Sequence, residues 1–260
     1  PPTTYTVGSG PRALCSADFN KDGNADLGIC AAIGTSRKVS ILLGNGTGGF
    51  DTSTAVYTFG VGGCPGNNIM SICTDDFNND SIPDIGCTAI GCSLSYYLSV
   101  LLGNGSGGFV LGSSPTLNTA AFSVTSGDFD KDGKKDVAVG NFGNSVTVFI
   151  GGGNGTFGTG ASYANGTDAY TIVCADFNSD GAPDLATANH GSANISFLLG
   201  NGIGGFASPV NTAAGTNPYS LCVNDFNMDG RPDLAVANQG SGNISVLRGV
   251  GDGTFNAAIN

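Results

Sequence analysis

Five short windows carry almost all of the acid in this chain. They read DFNKDGNAD at 18–26, DFNNDSIPD at 76–84, DFDKDGKKD at 128–136, DFNSDGAPD at 176–184 and DFNMDGRPD at 225–233. All 20 acidic residues are Asp and 16 of them fall inside these windows, so something more local than solubility dictates where the charge lies. Successive windows start 58, 52, 48 and 49 residues apart. A period of that size signals an array of supersecondary units, each burying its apolar face against its neighbours.

The content of one repeat follows from its patterning. A short apolar strand such as YTIVCADF leads into the window, an alternating one such as DLATAN or DLAVAN leaves it, and a third follows as ISFLLGN, SVLLGN or ISVLRG. A Gly-rich turn (NGTGGF, NGSGGF, NGTFG, NGIGGF) precedes a weaker fourth strand led by Phe. Asn-Gly between strand-like runs is a hairpin signal. Four antiparallel strands per period predict one propeller blade per repeat. Residues 1–260 are therefore expected to form a single all-β domain, a five-bladed β-propeller of four-stranded blades. Tyr5 stands 13 residues before Asp18, as Tyr163 stands 13 before Asp176, so the chain starts partway along an outer strand. It ends at GDGTFNAAIN, partway along the matching strand of blade five. N- and C-terminal strand segments are expected to close the ring, with residues 1–4 and 257–260 competing for one slot.

The windows share the pattern D-F-[ND]-x-D-[GS]-x-x-D-[LIV]. In this they resemble the FG-GAP or VCBS repeats of integrin α-subunit propellers and of many secreted propellers, over essentially the whole chain. The resemblance implies a calcium-binding β-propeller, with every loop here carrying the motif.

The residues point to calcium on their own terms. Calcium takes six to eight hard oxygens, and a tight loop can supply side chains at positions 1, 3, 5 and 9 with a backbone carbonyl at position 7. The first loop offers Asp18, Asn20, Asp22 and Asp26 with the Asn24 carbonyl, and Gly23 allows the sharp turn. The second offers Asp76, Asn78, Asp80 and Asp84 with Ile82, and the third Asp128, Asp130, Asp132 and Asp136 with Lys134. The fourth and fifth offer Asp176, Asn178, Asp180 and Asp184 with Ala182, and Asp225, Asn227, Asp229 and Asp233 with Arg231. Loop two is the least regular, with Ser81 where the others have Gly. Asp and Asn also make ordinary turns. Five aligned copies, each gathering carboxylates that repel one another, call for a cation. Five calcium ions would take the formal charge of −11 to about −1.

A chain this acidic is a poor partner for nucleic acid or an anionic membrane surface. No apolar run approaches the roughly 18 residues of a membrane helix, and PPTTYT lacks the features of a signal peptide, so a mature or trimmed chain is expected. Catalytic material is sparse. His190 is alone and reads as a polar turn residue, with Gln239 in the matching place of the next repeat, there is no Glu, and Arg12, Arg37 and Lys38 do not cluster with it. A non-enzymatic chain is expected, with no catalytic residues and a polysaccharide lyase as the remote alternative.

Eight cysteines suit an oxidising compartment if paired. Cys64 and Cys92 both lie in lengthened connections at one end of blade two and form the preferred disulfide. Cys15, Cys73 and Cys222 share one slot, three residues before the loop Asp, and read as buried packing residues, with Cys15–Cys30 or Cys73–Cys87 bonds left open. Seven N-x-[ST] sequons occur, at Asn45, Asn79, Asn104, Asn154, Asn165, Asn194 and Asn243; all but Asn79 are candidate glycan sites, foremost Asn45, Asn104 and Asn154, which are expected in the same exposed hairpin. The function these features favour is a calcium-stabilised extracellular structural or adhesion module, the subunit of a glycosylated surface fibre joined by terminal strands. Its partners would be other copies, a surface protein or glycans. The alternative is a lectin using Tyr96, Tyr97, Tyr170 and Tyr219.

Overall fold

A computed structural model of the chain describes residues 2–33, 36–51, 55–59, 69–90 and 96–259. Every regular element among them is a β-strand, and the strands group into five antiparallel sheets, the blades of a five-bladed β-propeller fold. Blade one is β1 (Ser9–Ala17), β2 (Asp26–Ile33), β3 (Ser36–Leu42) and β4 (Ala55–Phe59). Blade two is β5 (Ile69–Asp75), β6 (Asp84–Ile90) and β7 (Tyr96–Gly103), with β8 (Phe109–Leu111) and β9 (Thr116–Leu117) sharing its fourth position. Blade three comprises β10 (Ala121–Gly127), β11 (Asp136–Asn141), β12 (Ser145–Phe149) and β13 (Ala161–Ala164). Blade four comprises β14 (Ala169–Ala175), β15 (Asp184–Asn189), β16 (Asn194–Leu198) and β17 (Val210–Ala213). Blade five has β18 (Pro218–Asn224), β19 (Asp233–Asn238) and β20 (Asn243–Leu247). Each Asp window is the connection from a blade's first strand to its second.

Two compact units divide these blades. Pro1–Ala121 with Gly151–Phe157 holds blades one and two and the hairpin of blade three; Phe122–Ile150 with Gly158–Asn260 holds the remainder. The first unit packs around Phe19, Cys30, Ile41, Ile72, Ile85 and Leu101. The second has clusters centred on Phe129 and on Phe177.

One contact recurs wherever a blade meets the next within these units. The window Phe of blades one to four (Phe19, Phe77, Phe129, Phe177) is at most 1% exposed. The hairpin Phe of the following blade meets it edge-on at 5.3–5.7 Å, pairing Phe19 with Phe109, Phe77 with Phe157, Phe129 with Phe206 and Phe177 with Phe255. The same hairpin donates a glycine N–H to the window Phe carbonyl, from Gly107, Gly155, Gly204 and Gly253 respectively, at 2.9–3.2 Å. Burying each ring is worth about 1.5–3 kcal/mol, and the edge-on pair about 0.5–1.5 kcal/mol more.

At the ends, residues 2–8 form no strand. Tyr5 packs on Phe50 at 5.6 Å and its hydroxyl accepts the Phe50 N–H, while Val7 accepts the Ser40 hydroxyl. The contested fourth position of blade five goes to the C-terminal tail, where Ile259 bridges Val246. In blade two the fourth strand is split because Gly112, Ser113 and Pro115 bulge past β7, with Ser113 and Pro115 still accepting the Val100 and Leu98 N–H groups.

Cys64 and Cys92 lie outside the described residues. The six described cysteines are free thiols. Register explains why the open cross-strand alternatives do not form: Cys15 opposes Gly28 and Cys30 opposes Ala13, while Cys73 opposes Gly86 and Cys87 opposes Ile72. Burial pushes the Cys15 thiol up to about 12, which fits an inert packing residue. Cys222, expected to be buried, is exposed, whereas Cys15 and Cys73 in the same slot are half-buried.

Candidate metal centres

The five loops share one backbone form. The residue at position 4 adopts a left-handed φ of 59–60° in each, at Lys21, Asn79, Lys131, Ser179 and Met228. Position 6 does the same, at Gly23, Gly133, Gly181 and Gly230, and Ser81 of loop two follows at φ 61°. Loop two thus keeps the common shape despite lacking the glycine. Holding Ser there costs about 1–2 kcal/mol.

Carboxylates build that shape. In loop one, Asp18 accepts the N–H groups of Asp22 and Gly23 at 3.1 and 2.8 Å, Asn20 accepts Asp22 N–H at 3.0 Å, and Asp22 accepts Asn24 N–H at 2.8 Å. The same bonds recur in loop four with Asp176, Asn178 and Asp180. They recur again in loops two and five.

The position-9 Asp differs from the rest. Asp26, Asp84, Asp136, Asp184 and Asp233 are all fully buried. In four of them, one carboxylate oxygen accepts the window Phe N–H while the other accepts the first N–H of the same blade's hairpin. Asp184, for example, takes Phe177 at 2.8 Å and Gly200 at 2.7 Å. Asp26 does so with Phe19 and Gly44, Asp84 with Phe77 and Gly103, and Asp233 with Phe226 and Gly249. Asp136 accepts the Phe129 N–H at 2.7 Å. These residues are clamps that fasten the loop to the hairpin, as well as candidate metal ligands. Burial pushes Asp84 and Asp184 up to about 6 despite those bonds, and raises Asp26 for the same reason.

Loop three gathers the most acid. Ligand oxygens of Asp128, Asp130 and Asp136 lie within 4.8 Å of one another, a grouping that could hold a metal ion. Burial, followed by the neighbouring Asp132, holds the Asp130 carboxyl above its usual range. Asn20, Asn78, Asn178 and Asn227 each donate to the position-5 Asp at 2.8–3.1 Å. Asp130 cannot donate, and Lys134 takes over, bridging Asp132 at 2.6 Å and lowering its pKa.

The family model for FG-GAP-like repeats matches residues 18–87, 128–187 and 176–236. The chain belongs to the FG-GAP-like repeat family. No curated protein matches this FG-GAP chain by sequence. Solved structures match its fold. A functionally unknown protein from Desulfotomaculum acetoxidans is 12% identical with a TM-score of 0.68, over 98% of this chain and 70% of that one. BBS1N, solved in complex with ARL6DN, is 12% identical with a TM-score of 0.61, over 97% and 70%. The V. cholerae biofilm matrix protein Bap1 is 16% identical with a TM-score of 0.51, over 98% and 39%.

Two other groups of candidates fall elsewhere. His190, read as a polar turn residue, stacks on Tyr170 at 4.6 Å and hydrogen-bonds Asn217. Tyr170 in turn stacks on Phe122 at 4.6 Å and tilts against Tyr219 at 5.0 Å, and Phe122 meets Phe142. Sequence reasoning named Tyr170 and Tyr219 but missed this column. The available signal is that Phe122, Tyr170 and Tyr219 each stand six residues before a loop Asp. Arg12 and Met70 hold the same slot in blades one and two, and the Arg12 guanidinium lies 3.5 Å from the Met70 sulfur. Tyr96 and Tyr97 lie in β7 and pair with β9 instead. The side chain of Arg37 is outside the described residues.

The sequons differ in availability. Asn45 and Asn104 open their hairpins exposed, accepting N–H groups through Oδ1; Asn154 lies two positions further along its own hairpin and accepts the Thr156 N–H and hydroxyl. Asn165 spends its amide on Asn189 and Thr187. Asn194 and Asn243 accept side-chain bonds from Asn189 and Asn238. Asn79 lies at position 4 of loop two.

Proposed function

We propose that this chain is a calcium-stabilised, non-enzymatic propeller module of extracellular structures, acting as a structural or adhesive unit. The observation that carries the reading is the fivefold loop, held in one form by its own carboxylates, with acid gathered tightly in loop three. The side-chain oxygens at positions 1, 3, 5 and 9 and the carbonyl at position 7 would hold the ion in each loop, from Asp18, Asn20, Asp22, Asp26 and Asn24 in the first through to Asp225, Asn227, Asp229, Asp233 and Arg231 in the fifth. Calcium would supply the positive charge that the buried position-9 carboxylates lack. If calcium sits about tenfold above each dissociation constant, each ion adds about 1.4 kcal/mol. Five would then rival the entire stability of an ordinary domain, about 5–15 kcal/mol. The biofilm matrix protein among the structural neighbours is consistent with an extracellular role, as is BBS1N with protein binding. Calorimetric titration of chelator-stripped protein, paired with thermal melts, tests the reading. Saturable heat with a large rise in melting temperature is expected; no heat and identical melts in calcium and chelator would sink it.

The aromatic column favours a second reading, a glycan-binding propeller. Tyr219 and Phe142 leave about half their surface exposed at its ends. A glycan array probed in calcium decides: a blank panel removes the lectin and leaves the structural module.

A further inference from the structure

Position 4 of the loops takes the left-handed backbone throughout but differs in charge, with Lys21, Asn79, Lys131, Ser179 and Met228 in chain order. Within the second unit, the Lys131 side chain crosses from loop three onto blade four. A methyl group placed on Gly202 of the blade-four hairpin would lie 3.2 Å from its Cδ and 3.6 Å from its Cε. One placed on Gly181 of loop four would lie 3.5 Å from its Nζ. The stem thus rests where a residue larger than glycine would press on it, and it carries the charge to the rim of loop four. The ammonium closes no ion pair there, since among the described residues Lys134 and Asp132 form the one salt bridge. Its charge still reaches Asp180, whose carboxyl is held below the usual range by the Ala182 N–H, then by the Asn178 amide, and last by Lys131. Lys21 of the first unit repeats the placement. Its Cδ lies 3.6 Å from a methyl placed on Gly105 of the blade-two hairpin, beside Ile82 of loop two.

We propose that Lys131 sets the calcium affinity of loop four, as Lys21 does that of loop two, each being a tethered positive charge that the incoming ion must work against. The inference rests on the metal reading of the loops and adds an inequality among them. Blade five shows what a compensated charge looks like. Its matching glycine, Gly251, is covered by Arg231 of the blade's own loop, and that guanidinium interacts with Asp252 of the hairpin. The blade-four and blade-two hairpins have the neutral Ile203 and Ser106 where blade five has Asp252, so the charges of Lys131 and Lys21 are left to act on the loops. Loop four itself, DFNSDGAPD, contains no base. Like charges opposed at an exposed site should weaken binding there about three- to tenfold at low salt, and less as salt screens them. Loops two and four would then fill at higher calcium than their carboxylate count alone dictates.

A site-resolved calcium titration by amide NMR at low salt tests it, read at Gly181 in loop four and Gly133 in loop three. Lys131→Met keeps a stem over Gly202 and removes the charge, and Met already occupies this backbone position in loop five. It should tighten calcium at Gly181 by the factor given above, and by less at Gly133. Lys131→Arg keeps the charge and should bind as the wild type does. Potassium chloride at about 0.5 M should erase most of the difference between the methionine variant and the wild type. Unchanged binding at Gly181 in Lys131→Met overturns the proposal, as does an equal or larger gain at Gly133. So does an arginine variant that behaves like the methionine one, or a gain that salt leaves intact. A protein in which neither glycine responds to calcium overturns the metal reading as well, whereas calcium binding indifferent to Lys131 overturns this proposal alone.

Discussion

At the scale of single residues, the loop aspartates divide into two kinds, and substitution should separate them. Asp180 is exposed, so water can replace the one accepted bond that its amide analogue loses, and Asp180→Asn should reduce calcium affinity while leaving the metal-free melting temperature nearly unchanged. Asp184→Asn leaves a buried N–H of Phe177 or Gly200 facing an amide that can accept only through one atom, at a cost of about 1–3 kcal/mol with or without calcium. Melts of both variants in chelator check the contrast. Ser81→Gly relieves the left-handed serine of loop two; after the added chain entropy of glycine, a gain of about 0.5–1 kcal/mol should appear in denaturant unfolding. The carboxyls of Asp84 and Asp184, raised to about 6 by burial, bind protons more tightly in the folded chain than in the unfolded one. In chelator their contribution to stability is therefore greatest below pH 4 and is lost as pH rises through 6. Calcium requires the ionised form, so its affinity should climb over the same interval. Melts with and without calcium between pH 4 and 7 should diverge as pH rises.

At the scale of elements, the window and hairpin behave as one part. Gly204→Ala adds a methyl group 2.9 Å from Ile150 at φ 80°, while Gly48→Ala meets nothing at a similar φ of 83°. Both carry backbone strain, so the extra loss of stability in the first measures the contact between blades. Phe177→Ala should cost about 3–5 kcal/mol and Phe226→Ala much less, read from urea midpoints. Much of this was legible in the sequence: five windows at a steady period, Phe after the first Asp and Gly-rich turns led to blades, loops and candidate ligands. The dual bonding of Asp184 was not, because nothing in DFNSDGAPD reveals that its ninth residue reaches the hairpin at Gly200, 16 residues on. Nor was the exposure of Phe226 legible, since its window matches that of buried Phe177. His190 does stand in a turn, as its neighbours suggest, but its stacking on Tyr170 depends on the register between neighbouring strands, which local composition does not encode.

At the scale of the molecule, the clamps and seams join end to end in the second unit. The Asp233 carboxylate holds Gly249, and four residues along the same hairpin Gly253 donates to the carbonyl of Phe177. The Phe177 N–H returns to Asp184, which holds Gly200, whose hairpin reaches Phe129 through Gly204. Every link runs through a peptide group or a carboxylate oxygen of an Asp window. The loops of this unit are therefore expected to respond together: an ion that stiffened one would lower the entropy still to be lost by the next. A calcium titration should show loops three to five filling more steeply than independent sites, and a charge-removing change in loop four should blunt the response of loops three and five. These three acid windows would then behave as a single sensor of calcium, with a threshold instead of a gradual response.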